Sequence, residues 1–453
     1  MDAQHRFDPG SIRRFRVVDR TFDPTTRTAR LRYAFDGDEQ FEEVITFETE
    51  PTEPVPALGE GFDRALLHLH IAAGTSYYKA AAPPVVEVES TGLTAAEREF
   101  HRRLYDDGLR EFAVTNGMPV PRAVVIQSAD RPAPSAPSAS PVRTGGLVVP
   151  IGGGKDSMVL IEAVRSLRPR LFAVNPHPLT IALAEQTGLE LVVVRRRLSP
   201  ALTRLNGDGA LNGHVPITAI ISLVAVVGSF LYGYDAIAMA VERSASEETV
   251  LVDGVPVNHQ FSKSLEFERL LAELVTGSID AGLVYGSALR PYSELAIGRA
   301  FAGFGKYQDT FCSCNTAFRQ GAAPEDRWCG DCPKCRFVAL VLAPFLAPEA
   351  VAAIIGRDLF ADPDQIAGFA ALMSDDDKPF ECVGERRESA VALRLLADLP
   401  AWKESPVVAA LAAGARALVS EAEVVATLTP AVGLDYPDPE VAAAVRDVLT
   451  GIS

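Results

Sequence analysis

Two groups of residues in this 453-residue chain have types and spacings suited to chemistry. The first is Gly152-Gly153-Gly154-Lys155-Asp156-Ser157, set between a short apolar run, Leu147 to Ile151, and a helical pattern from Ser157 to Leu167. Glycines let a backbone approach a phosphate closely, and free N–H groups at a helix start point toward it. Ser157 adds a hydroxyl donor, Lys155 a point charge, and Asp156 a carboxylate able to hold Mg²⁺. The spacing is not that of a Walker A loop, because Asp156 separates Lys155 from Ser157. The second group is thiols. All six cysteines follow Thr310: Cys312, Cys314, Cys329, Cys332, Cys335 and Cys382. Four thiolates suit tetrahedral Zn²⁺, and Cys329, Cys332 and Cys335 at CxxCxxC spacing with Cys314 upstream supply them, Cys312 being the alternative fourth ligand. Four protein ligands close the coordination sphere, so such a zinc is structural; an iron–sulfur cluster is the competitor.

The elements that must position these groups follow from the apolar pattern. Leu147–Ile151, Leu171–Val174, Leu191–Val194 and Asp235–Val241 are apolar on both faces and alternate with helical stretches, which predicts a doubly wound parallel sheet, an α/β fold. Ligands then sit at the carboxyl ends of the strands. Residues 1–127 read as an N-terminal α+β module. Its strands are Phe15–Val18, Ala29–Phe35 and Phe41–Phe47, and Thr94 with Glu97 forms a capping box for a helix from Ala95 to about Phe112. Residues 128–144 are a Pro/Ala/Ser linker. An α/β domain carrying the glycine turn over 145–310, a zinc-binding loop and helix over 311–345 and a helical region over 346–453 complete the division. The apolar run Ile217–Tyr232 approaches a membrane span in length, but His214, Pro216, Thr218, Ser222, Gly228 and Ser229 and the lack of a basic flank predict a buried helix. The polar N-terminus carries no signal-like apolar region, so a cytosolic protein is expected. With 43 Lys+Arg against 59 Asp+Glu the net charge is −16, which disfavours a nucleic-acid partner.

The glycine turn resembles the Ser-Gly-Gly-x-Asp-Ser loop of the PP-loop ATP pyrophosphatases, with Gly152 in place of the usual Ser. The Cys…CxxCxxC order is similar to the zinc site of their 7-cyano-deazaguanine synthase branch. A more specific resemblance comes from seven segments taken in order: Pro150–Ser157, Asn212–Ile220, Glu242–Glu247, Asn258–Ser264, Arg290–Leu295, Trp328–Phe337 and Lys378–Gly384. Together they resemble the family of UDP-N-acetylmuramoyl-L-alanyl-L-glutamate epimerases. The likeness covers roughly Gly145 to Gly384; the N-terminal module fits by position but carries no matching motif, and the tail after Pro400 is uninformative.

What the resemblance implies is a peptidoglycan-precursor enzyme that uses ATP to invert the terminal L-glutamate of UDP-MurNAc-L-Ala-L-Glu, releasing AMP and pyrophosphate. Its partners are then ATP and a UDP-linked peptide, with Mg²⁺ and zinc as ions. The chemistry is consistent. An α-proton beside a carboxylate is hard to remove because the carbanion is a dianion, and adenylation removes that charge. Inversion needs two groups on opposite faces, or one group and water; Cys382, His214, His259, Lys263 and Glu381 are candidates, alongside the loop residues Lys155, Asp156 and Ser157. Arg290 is expected to bind an anion, its fork matching carboxylate or phosphate, with Asn258 and Lys263 as further substrate contacts. Ser244, Ser246 and Glu247 are expected near nucleotide or Mg²⁺. His68 and His70 read as packing residues. Two other readings share these features: a PP-loop RNA-modifying or deazaguanine-forming enzyme, and a non-catalytic, zinc-stabilised ATP sensor.

Overall fold

The fold is given by a computed structural model that describes residues 7–37, 39–48, 58–132, 145–247, 250–252, 254–258, 260–317, 327–374 and 383–451. Among the described residues the strands are β1 (Arg14–Asp23), β2 (Thr28–Phe35), β3 (Gln40–Phe47), β4 (Val85–Leu93), β5 (Val125–Asp130), β6 (Gly146–Pro150), β7 (Arg170–Val174), β8 (Leu191–Arg197), β9 (Tyr234–Met239), β10 (Val250–Val252), β11 (Val255–Val257) and β12 (Val284–Ser287). The helices that matter below are α1 (Glu60–Ala73), α2 (Ala95–Asp106), α3 (Lys155–Ala163), α4 (Pro178–Thr187), α5 (Ile217–Tyr232), α6 (Leu265–Leu274), α7 (Glu294–Ala302), α8 (Pro333–Leu342), α9 (Arg386–Asp398) and α10 (Pro439–Thr450).

Ten strands form one mixed, mostly parallel sheet in the order β12-β9-β6-β7-β8-β3-β2-β1-β4-β5. The five strands from β12 to β8 run parallel, as the doubly apolar runs predict. The strands before the linker continue the same sheet, because β3 pairs antiparallel with β8. That seam accounts for the Arg195-Arg196-Arg197 triplet, which lies within β8. Arg196 is held by the fully buried Glu43 at 2.7 Å, and Arg195 by Glu48 at 2.9 Å. Residues 133–144 of the expected linker lie outside the described residues, while β5 extends to Asp130.

Side-chain alternation along the central strands sends Val148, Phe172 and Ile237 to one core, and Val149, Leu171, Ala173 and Ala238 to the other. The long apolar run forms α5, ended by Gly233 in the left-handed conformation, and most of its residues are buried. Among the described residues no helix is long and apolar enough to cross a membrane. The capping box forms as expected: Thr94 N–H donates to Glu97 at 2.7 Å and Glu97 N–H to Thr94 Oγ1 at 3.2 Å. His68 and His70 are buried and hydrogen-bonded, to His101 at 2.9 Å and to the Arg32 carbonyl at 3.0 Å. After β12 every regular element among the described residues is a helix.

Candidate functional site

The glycine turn joins β6 to α3 at the carboxyl end of the strand. Gly153 sits at φ 93°, a region open to glycine, and Gly154 is the extended N-cap residue of α3, with no side chain capping the helix. The first N–H groups of α3 are therefore available to an anion. Ser157 Oγ donates to the Gly154 carbonyl at 3.0 Å, which fixes the turn. A cleft of about 490 Å³ opens here. Gly152, Gly154, Asp156 and Ser157 line it together with Asn175 to His177 after β7, Met239 to Val241 at the end of β9, and Lys263. Ser313, Asn315 and Lys334 come from the cysteine-rich segment. The location at strand ends agrees with the parallel sheet.

Lys155 departs from its expected place. Its side chain is 3% exposed and its ammonium lies on Asp156 at 2.5 Å and against Glu294, the first residue of α7. It does not line the cleft; it orients Asp156, which does. Behind this pair stands Glu388 of α9, a buried carboxyl that the sequence reading did not single out. One oxygen accepts the Leu295 N–H at 2.7 Å, and the other has no hydrogen-bond partner among the described residues. Burial raises Glu388 to about 7, against the pull of the Leu295 N–H and Lys155. The native state thus keeps a proton that the unfolded chain releases near 4.5. The resulting stability is complete below that pH and is lost as pH rises to about 7, a change of about 3 kcal/mol. Glu388→Gln keeps an acceptor for Leu295 but cannot ionise. Its unfolding free energy, from urea denaturation between about pH 5 and pH 8, is expected to stay level where the parent's declines.

The remaining predicted residues divide. Arg290 is 2% exposed and its anion is internal: it donates to Glu268 at 2.6 and 2.9 Å, to the Glu242 carbonyl at 2.8 Å and to the Lys263 carbonyl at 2.9 Å. It is a brace for the segment carrying Lys263 rather than a lining residue of the cleft. Arg290→Ala unpairs Glu268 and frees both carbonyls. The expected loss of unfolding free energy is about 3 kcal/mol, read by chemical denaturation. Asn258 donates to the Ala245 carbonyl at 3.2 Å and accepts the Gln260 N–H at 2.7 Å; it lines a different cleft, with Arg110 and Phe261. Ser244 is buried with its hydroxyl on Glu242 at 3.3 Å, and Glu247 faces Arg386 at 3.4 Å. Neither they nor the half-buried His214 line the cleft. Nothing is described of the Ser246 side chain, and His259, Glu381 and Cys382 lie outside the described residues.

The sulfurs of Cys314, Cys329, Cys332 and Cys335 all lie within 4.8 Å of one another, close enough to hold a metal ion. The separations are 3.9 Å for Cys314–Cys332, 3.8 Å for Cys329–Cys335 and 3.5 Å for Cys332–Cys335. A tetrahedral ion with bonds of about 2.3 Å requires about 3.8 Å between sulfurs, so the donor set fits. Cys332 is the N-cap residue of α8, and backbone N–H groups of Cys329, Cys332 and Cys335 donate to the sulfurs of Cys314, Cys329 and Cys332 at 3.3 to 3.4 Å. Cys312 is not in the group. Its thiol donates to the Arg327 carbonyl at 2.7 Å, and burial pushes it up to about 11. Its backbone N–H instead donates to the Gly153 carbonyl at 3.1 Å, tying the cysteine segment to the glycine turn.

Comparison with known proteins adds a family. Residues 6–288 match the family described as the MurL N-terminal domain, and residues 310–426 the MurL C-terminal domain. Three curated relatives are each named UDP-N-acetyl-alpha-D-muramoyl-L-alanyl-L-glutamate epimerase. The protein of Salinispora tropica is 44% identical over 406 residues, covering 86% of this chain and 86% of its own. That of a Micromonospora species is 43% identical over 406 residues, 86% of this chain and 88% of its own. That of Xanthomonas oryzae pv. oryzae is 41% identical over 406 residues, 89% and 90% of the two chains. No solved structure matches the chain.

Proposed function

This chain belongs to the MurL family, and we propose that it is an isomerase of peptidoglycan precursor synthesis, inverting the terminal L-glutamate of UDP-MurNAc-L-Ala-L-Glu at the expense of ATP. The carrying observation is the uncapped glycine turn at the carboxyl end of β6, opening on a cleft of about 490 Å³. That arrangement supports a PP-loop pyrophosphatase reading, since uncapped backbone N–H groups at the start of α3 face the place where a phosphate would sit.

The reaction begins when a carboxylate oxygen of the substrate glutamate attacks the α-phosphorus of ATP. The bond to the bridging oxygen breaks and pyrophosphate leaves. The acyl-adenylate has a neutral carbonyl, so a base can take the α-proton and leave the electron pair delocalised into that carbonyl. A proton returns to the opposite face; water then attacks the carbonyl carbon and AMP departs. Within this scheme Gly152 to Gly154 and the first turn of α3 bind phosphate, Ser157 supports the turn, and Asp156, oriented by Lys155, would hold Mg²⁺. The metal, when bound, supplies positive charge to the departing pyrophosphate. Of the proton-transfer candidates, Lys263 is favoured by position, since it lines the cleft. The four cysteines would hold a structural zinc ion.

Incubation of the purified protein with ATP, Mg²⁺ and UDP-MurNAc-L-Ala-L-Glu tests this. AMP, pyrophosphate and, after acid hydrolysis, D-glutamate are expected together. AMP without stereochemical change rejects epimerisation while leaving adenylation standing.

A further inference from the structure

The lysine inside the glycine turn is not available to a nucleotide. Lys155 is nearly fully buried, with its charge matched by Asp156 and Glu294. Yet a nucleoside triphosphate carries several negative charges, and cleavage between its α- and β-phosphates adds charge to the leaving group. Two lysines line the cleft among the described residues, Lys263 and Lys334.

Lys334 stands where the cysteine knuckle can place it. It lies between Cys332 and Cys335 in the first turn of α8, and the Cys335 N–H on Cys332 Sγ at 3.4 Å sets the backbone through this turn. Its ammonium lies 5.6 Å from the Phe337 ring centroid. The same cysteine-rich segment is joined to the glycine turn by the Cys312 N–H on the Gly153 carbonyl at 3.1 Å. Ser313 Oγ comes so close that a Cβ at Gly154 would lie 3.0 Å from it. The knuckle is thus a wall of the cleft, and its lysine and the glycine turn line one space.

We propose that Lys334 binds the polyphosphate of the nucleotide in this cleft and that the four-cysteine knuckle positions it there; this rests on the ATP-dependent reading above. It assigns a nucleotide contact to a residue of the metal loop, so the loop is more than a remote clamp. The opposing role for the same residue is balancing the negative charge of a tetrathiolate metal site, in which case its removal would release the metal.

The test uses the full-length, zinc-loaded chain and α,β-methylene-ATP, which cannot be cleaved at the reacting bond. Binding is measured calorimetrically and zinc by elemental analysis. Lys334→Met is expected to weaken the analogue about tenfold or more while AMP affinity changes no more than about threefold, with zinc retained. Lys334→Arg should recover most of the loss. Unchanged analogue affinity in Lys334→Met, equal losses for AMP and the analogue, or release of zinc would overturn the assignment. If the parent protein fails to bind the analogue at all, the ATP-dependent reading falls first, and that outcome is distinct from a variant-specific result.

Discussion

Asp156→Asn is expected to lower ATP-dependent AMP formation and α-hydrogen exchange on the order of 10³-fold or more, with the chain still folded. Asp156 lines the cleft, is 26% exposed and is held by Lys155 at 2.5 Å. Asparagine keeps the shape and can still accept a hydrogen bond from Lys155, but it carries no charge with which to bind a divalent cation. Lys155 keeps its partner Glu294, so the buried pair survives the substitution. The defect should therefore appear in AMP release, measured chromatographically, and not in the urea midpoint. Near-normal turnover would remove Asp156 from the metal-holding role.

The second large effect is expected at the cysteines. Cys335 is fully buried and its sulfur lies 3.5 Å from that of Cys332 and 3.8 Å from that of Cys329. Cys335→Ser should leave the purified protein with little zinc, and apparent stability should fall by on the order of 5 kcal/mol or more, since metal binding to such a set contributes folding free energy directly. Because the segment carrying Cys314 also bonds to Gly153 and lines the cleft, nucleotide binding should fall with metal content. Prolonged treatment with a strong chelator should reproduce both losses. Full nucleotide affinity in a zinc-free protein would show that the knuckle and the cleft act independently.

Local signals in the sequence specify much of the central sheet and its helices. The doubly apolar runs became β6 to β9, and the apolar run Ile217–Tyr232 became α5. Short-range chemistry also carried the cysteine set, since the spacing of Cys329, Cys332 and Cys335 is a property of one turn. What was not legible is long-range pairing. Nothing local in β3 announces that Phe47 will pair with Val194, so the N-terminal strands looked self-contained when they extend the central sheet. Residue type misled at Arg290 for a related reason. A guanidinium predicts an anion, but sequence cannot say whether that anion is a ligand or Glu268 of the same chain. Lys155 shows the same ambiguity, its partner Glu294 lying on another helix. Glu388 carried one faint signal, following shortly after the Lys378–Gly384 segment that contributes to the family likeness.

Oxygen tracing decides whether ATP activates the glutamate carboxyl as an acyl-adenylate. UDP-MurNAc-L-Ala-L-Glu labelled with ¹⁸O in the terminal α-carboxylate is incubated with the protein, ATP and Mg²⁺, and the AMP is analysed by mass spectrometry. Attack by that carboxylate on the α-phosphorus, followed by addition of water at the carbonyl carbon, predicts transfer of a single ¹⁸O atom into each AMP, in step with the appearance of D-glutamate. Unlabelled AMP accompanying inversion would contradict the account.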